Sequence, residues 1–286
     1  MPTVSLPESA SLEHLRGQAR RLQRAVRAGD PRAVARVAAH DRGSIEPAGW
    51  FPLGRAQLVV AREHGFTSWA RLKHYFDVVA EHRWDGSIPI GPAAAGETLA
   101  DRFCRLACLT YTEDDPERWA QARRLLAEHP GLTGSSVWAA AAATDLTALS
   151  RLLAGDPRLA RQRGGPYGWR PLFYLVYSRL DPTVASATTV ASARLLLDAG
   201  ADPDEGYLWN GLPTPFTLIT GAFGEGEQGP ERQPAHPHAA ALAPVLLDAG
   251  ADPNDGQALY NRMFQPANDH LRLLLDHGLG TGNGGI

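Results

Sequence analysis

Glu225 and Glu227, then His236 and His238, stand close together inside the stretch GAFGEGEQGPERQPAHPH (Gly221–His238). Alternating carboxylates and imidazoles are the donor set of a divalent-metal site, and equally of an acid–base pair. Either chemistry requires rigid support, because a ligating or catalytic group works only when held within about 0.5 Å of its productive place. The surrounding glycines and prolines instead have the composition of turns, with Pro237 ending the stretch before the next helix. Three readings follow: a metal or catalytic site, a pocket with these four residues as polar lining, or a solvated connection. On the last reading, Gly224–Pro234 is replaceable by a short Gly/Ser linker at a cost of about 1 kcal/mol.

The elements that must carry this stretch are written in a repeat. DAGADP occurs at Asp198–Pro203 and again at Asp248–Pro253, each copy preceded by paired leucines. Looser copies are LLAEHP from Leu125, LLAGDP from Leu152 and LLLDHGLG from Leu273. Aligned on the leucines at 125, 152, 196, 246 and 274, the intervals are 27, 44, 50 and 28 residues. Periods of this order indicate stacked supersecondary units. Gly200, Gly250 and Gly278 sit where a second helix must stop, a left-handed position that glycine adopts at little cost. Asp30-Pro31 and Asp115-Pro116 mark helix starts, an N-cap followed by proline at the first helical position.

With these residues the chain resembles the ankyrin repeat family. TPFTLI (Thr214–Ile219) and RPLFYL (Arg170–Leu175) stand where that family opens its inner helix with TPLHxA, Thr217 and Tyr174 taking the place of the histidine. LLLDAGADPD (Leu195–Asp204) and LLDAGADPND (Leu246–Asp255) stand where it closes the outer one. The resemblance implies an all-α fold: an ankyrin-type α-solenoid of about five degenerate repeats over residues 97–280. The units are placed near 97–132, 135–163, 170–203, 214–253 and 257–280. Two insertions, Ser178–Val190 and the Gly221–His238 stretch, fall between inner and outer helices. GGPYGWRP (Gly164–Pro171) and DEGYLWNG (Asp204–Gly211) fall between repeats, where the family projects fingers beside a concave face. Tyr167, Trp169, Tyr207 and Trp209 would then be anchors for a partner, the residue types of interface hot spots. The alternative is that they pack back beneath the fingers. From QALYNRMFQPANDH (Gln257–His270), Tyr260 and Arg262 would also face a partner, while Asn268 caps the last helix.

Before the repeats, Leu12, Leu15, Ala19, Leu22 and Val26 form one apolar helical stripe. Arg16, Arg20, Arg24 and Arg27 flank it, either as a solvated face or as a surface for nucleic acid or an acidic partner. Leu53–Val79 reads as two helices around Gly65, with Trp69, Leu72, Tyr75 and Phe76 towards a core. Residues 1–83 resemble the helical segment that precedes repeats in bacterial ankyrin proteins; 84–96 read as a linker and 281–286 as a tail.

Composition narrows the function classes. Of 286 residues, 44% are hydrophobic and 21% charged, ordinary for a globular protein. Residues 1–83 carry 13 Lys/Arg against 8 Asp/Glu and the remainder 15 against 23, so a net charge of about +5 precedes one of about −8. The formal total of −3 gives no bulk attraction to nucleic acid or anionic membrane. Cys104 and Cys108, one helical turn apart, read as buried thiols in a reducing cytosol. No signal peptide or membrane span is legible, so the expected location is cytoplasmic. No phosphate-cradling loop or nucleophile elbow occurs. DPDEG and DPNDG lack the spaced ligands and distal glutamate of a calcium loop.

The expectation is therefore a non-enzymatic scaffold, without cofactor or metal, presenting a concave surface to a protein partner rather than to a membrane or nucleic acid. The alternative is an enzyme or small-ligand binder whose insertions at 178–190 and 221–238 close a pocket over that face. The last helix keeps Leu271, Leu273, Leu274 and Leu275 with only TGNGGI after Gly280, which predicts one or two exposed leucines and an end that self-associates, frays or expects further repeats.

Overall fold

The Asp-Pro punctuation sets helix starts as the sequence predicts. Asp30 and Asp115 each accept a hydrogen bond from the backbone two residues on, with proline at the first helical turn. The computed structural model describes residues 11–41, 50–81, 96–112, 114–180, 184–208, 215–264 and 266–281. It is mainly helical, 63% of residues lying in helices. Two compact units divide the chain, residues 1–83 and 84–286.

In the first unit, α1 (Leu12–Arg27), α2 (Pro31–His40), α3 (Leu53–Glu63) and α4 (Trp69–Glu81) enclose a small core. Leu15, Ala19, Leu22 and Val26 are buried, packed with Val59, Val60 and Leu72. Arg16, Arg20, Arg24 and Arg27 are exposed beside this buried stripe, and Arg27 Nε donates to the Phe51 carbonyl at 3.1 Å. Trp69 and Phe76 are half-buried against the same core.

The second unit is a series of helix pairs. They are α5 (Leu99–Ala107) with α6 (Pro116–Glu128), α7 (Val137–Ala142) with α8 (Leu146–Gly155), and α9 (Pro171–Tyr177) with α10 (Ser186–Asp198). Next come α11 (Leu218–Phe223) with α13 (Ala239–Asp248), the short α12 (Gly229–Arg232) lying between them, and α14 (Gly256–Arg262) with α15 (Asp269–Asp276). The first helices contact one another in order, α5 to α7 to α9 to α11 to α14, and α8, α10 and α13 form a second row. Gly200, Gly250 and Gly278 have φ of 90°, 112° and 99° at the ends of α10, α13 and α15, the conformation expected for a glycine stop.

Strands β1 (Gly206–Leu208) and β2 (Pro215–Thr217) pair antiparallel, Tyr207 opposite Phe216. All seven residues of α9 and all six of α11 are buried, so these two inner helices offer no free face. Thr217 caps α11 through its hydroxyl and donates to Asp255, which in turn caps α14. Tyr174 donates to the Gly164 carbonyl at 2.9 Å and accepts from the Tyr167 amide at 3.0 Å. Thr217 and Tyr174 thus each tie an inner helix to a neighbouring segment.

Candidate functional site

The Gly221–His238 stretch is a folded strap rather than a solvated loop. It leaves α11 at Gly224, where φ is 59° and an added Cβ would lie 2.3 Å from the Pro234 carbonyl oxygen. Glu225 follows at φ 60°, a left-handed conformation that is strained for a residue with a side chain. Its amide donates to the Gln233 carbonyl at 2.6 Å, and the His236 amide donates to the Ala222 carbonyl at 3.0 Å. Sequence reasoning missed the residue that anchors both ends of the strap. Arg179, buried just after α9, donates through Nε to the Pro234 carbonyl (2.7 Å) and through Nη2 to the Gly221 carbonyl (2.6 Å). Its Nη1 donates to the carbonyls of Val176 and Ser178. Burial pushes its pKa below the usual arginine value. An arginine after an apolar helix carries no sequence signal of this role, since all its acceptors are backbone.

The strap separates the two glutamates from the two histidines. Arg262 on α14 is buried, pairing with Glu225 through Nη1 and with Asp269 through Nη2 at 2.7 Å. The second oxygen of Glu225 is buried without a partner. Burial pushes the Glu225 carboxyl above the ordinary range, opposed by Arg262. Glu227 accepts from the Tyr260 hydroxyl. Glu225 and Glu227, two of the four residues expected to line a pocket, are thus bonded to Arg262 and Tyr260, and the Arg262 side chain is buried. No hydrogen bond joins either glutamate to either histidine among the described residues. Nor do the described residues hold a group of three or more His, Cys, Asp or Glu placed for a metal ion.

Of the aromatic candidates, Tyr167, Trp169 and Tyr207 pack inward. Tyr167 and Trp169 are 3% exposed and Tyr207 4%. They form a continuous cluster with Phe173, Tyr177 and Phe216, in which Trp169 and Tyr207 lie 5.5 Å apart and Phe173 and Tyr177 stack at 4.2 Å. Burying several aromatic rings together stabilises more than leaving them in water, so the segments fold inward over α9. Trp209 lies outside the described residues. Tyr260 alone of the described aromatic candidates is exposed, at 43%. Glu205 is buried 3.5 Å from Arg170 and 3.6 Å from Arg163, and burial pushes its pKa up to about 7. Cys104 and Cys108 are free, buried thiols, Cys108 pushed up to about 12 by burial.

The histidines lie in a different setting. His236 is buried and its Nδ1 accepts from the His238 amide at 3.0 Å. Burial, with Arg179 nearby, holds its pKa well below the usual histidine value, so it is neutral at pH 7. Both histidines line a half-open cavity of about 260 Å³, together with residues of both insertions, of α6 and of the turn after α7. On the other side of the strap, Thr112, Asp114, Arg118, Gln228 and Arg232 line an open groove of about 650 Å³. Asp114 is buried there, one carboxylate oxygen on Arg118 at 2.9 Å and on the Thr110 amide at 2.9 Å.

No helix among the described residues is long and apolar enough to cross a membrane. Compared with the models of known protein families, with curated proteins and with solved structures, the chain matches none of them.

Proposed function

We propose that the protein is a non-enzymatic binding protein, built on an ankyrin-type array of helix pairs, that meets a protein partner at the face formed by α14 and α15. The observation that carries this reading is where large apolar side chains reach solvent. Among the described residues of the second unit these are Leu99, Tyr260, Met263, Phe264 and Leu275, and all of these but Leu99 belong to the last helix pair or the turn between its helices. Tyr260 and Phe264 meet edge to face at 5.4 Å. Exposed Glu227 accepts from the Tyr260 hydroxyl, and Arg272 and Asp276 are exposed on α15. An apolar patch with a charged rim has the anatomy of a protein interface. The complete burial of α9 and α11 speaks against a partner reading the middle of the inner row.

The test is capture from cells of the source organism, with purified wild-type chain and the Met263→Ser/Phe264→Ser variant. A partner recovered in fixed stoichiometry by wild type and at least about tenfold less by the variant, at unchanged thermal stability, is the expected result. Equal recovery by both chains would refute the assignment of this face.

A further inference from the structure

Helix α1 gives one side to the core of the first unit and leaves the other to solvent. At about 100° per residue, Arg16, Arg20, Arg24 and Arg27 fall within an arc of about 80°. All four are exposed. A rise of about 1.5 Å per residue spaces them about 4.5–6 Å apart along roughly 16 Å of helix. Among the described residues none of the four pairs with a carboxylate, and Arg27 donates instead to the Phe51 carbonyl. Asp41, Glu63 and Asp77 of this unit are engaged elsewhere, with Arg55, Arg36 and Lys73. Glu13, in the first turn, is the one carboxylate α1 itself carries. Counted over all of residues 1–83, 13 Lys/Arg stand against 8 Asp/Glu, so this part is positive with every carboxylate ionised. The formal total of −3 conceals it, because the rest of the chain is negative.

A second observation lies at the C-terminal end of the row. Trp50 is 70% exposed, while its neighbour Phe51 is buried. The Phe51 carbonyl accepts from Gln23 Nε2 at 3.0 Å and from Arg27 Nε at 3.1 Å. The backbone that carries Trp50 is thereby pinned beside the last arginine of the row. An indole left in water forfeits a large burial and keeps a flat π-face open for stacking.

The two features together select among anionic partners. A helix that lies on a membrane inserts its apolar face, but Leu15, Ala19, Leu22 and Val26 of α1 are already buried in the core. A row of regularly spaced arginines with an exposed aromatic at its end is the combination that follows a phosphate backbone and stacks an unpaired base. We propose that α1 and Trp50 bind single-stranded nucleic acid, the arginines on successive phosphates and the indole on a base. Neither group reads a sugar or a base edge, so RNA and DNA share this chemistry. The site belongs to the first unit and the protein-binding face at α14 and α15 to the second; either stands if the other fails.

The test is fluorescence anisotropy of labelled oligo(dT) and oligo(U), each about twenty nucleotides long, with the full chain. Saturable binding with a Kd of about 100 μM or tighter near 150 mM salt is expected, and the tighter strand names the natural source. Four phosphate contacts on a single strand give log Kd against log salt a slope of about 3, so raising salt from about 50 to 200 mM should weaken binding about 50-fold. Arg20→Gln/Arg24→Gln should halve that slope and weaken binding at the lower salt by at least about tenfold. Trp50→Ala should leave the slope unchanged and weaken binding by about fivefold or more, as loss of one stacked base does. Both variants should keep the thermal stability of wild type, since the altered side chains already meet water. Absence of saturable binding of both strands would overturn the proposal, as would equal affinity in the arginine variant and wild type. So would a duplex of the same length bound more tightly than either strand, which would leave Trp50 no base to stack on. A polyglutamate peptide of equal charge bound as tightly as the strands, and equally by Trp50→Ala, would assign the face to acidic proteins instead.

Discussion

Glu205 shows how far a single residue can depart from what its sequence context suggests. It stands in the acidic run DPDEG, yet the Glu205 side chain is almost wholly buried. One oxygen has no partner, and two arginines lie at the edge of ion-pair distance. Burial outweighs the arginines, so the pKa rises to about 7 and the folded chain holds a proton the unfolded chain has lost. When the folded state binds more protons, stability falls as pH rises. Glu205 therefore favours folding fully below the ordinary glutamate range, and that contribution is lost between about pH 4.3 and pH 7. The loss is on the order of 3 kcal/mol. Glu205→Gln, which keeps the shape and removes the charge, should be close to neutral at pH 5 and stabilising at pH 8. Urea unfolding at the two pH values measures this. A Gln variant less stable at pH 8 than at pH 5, relative to wild type, would show that the arginine pairs outweigh burial.

At the scale of elements, the helix pairs were legible and the strap was not. Asp-Pro starts, leucine pairs and glycine stops act within one or two turns, so each copy carries its own signal in the text. The pairs α9–α10 and α11–α13 fall where the two long intervals place them, but Ser186–Val190 of the first insertion belongs to α10 and Gly221–Phe223 of the second to α11. The direction of an aromatic residue on a Gly/Pro-rich segment has no such local signal. Tyr167, Trp169 and Tyr207 turn inward because α9 and β2 offer rings to meet, a fact of tertiary packing. The same holds for Glu225, whose partner Arg262 is 37 residues away. As a bonded strap, Gly224–Pro234 should not be a cheap deletion. Removing it exposes Arg179, strands buried Arg262 and uncovers Phe223, and breaking a buried ion pair alone typically costs about 3–5 kcal/mol. Replacement by a short Gly/Ser linker should accordingly destabilise the chain by at least about 3 kcal/mol in denaturant titration, against about 1 kcal/mol for an unstructured loop. A loss near the lower figure would return the strap to the status of a tolerated insertion.

For the second unit as a whole, the distribution of stability follows from stacking. Each helix pair buries one face on the pair before it and one on the pair after it, so stability is shared between neighbours. The inner helices α9 and α11, covered on every side, should open only when much of the array opens. Among the residues described, α15 is covered on one side only: Leu274 is buried against the core, Leu271 and Leu273 are half-buried, and Leu275 is 60% exposed. Exposing a Leu that burial would otherwise remove from water forfeits about 1.5–3 kcal/mol, and α15 has correspondingly less to hold it. Its amides should exchange with solvent through local opening, at least about 100-fold faster than those of α9 and α11. Leu275→Lys should leave the unfolding midpoint nearly unchanged, because the side chain already meets water. The same change should reduce any concentration-dependent association seen in sedimentation, since it replaces an exposed apolar side chain of the last helix pair with a charge. Hydrogen exchange of the purified chain at two concentrations joins these expectations in one measurement. Slow exchange in α15 equal to that of α9 at low concentration would mean the end face is already covered, and the binding face would then have to be sought elsewhere.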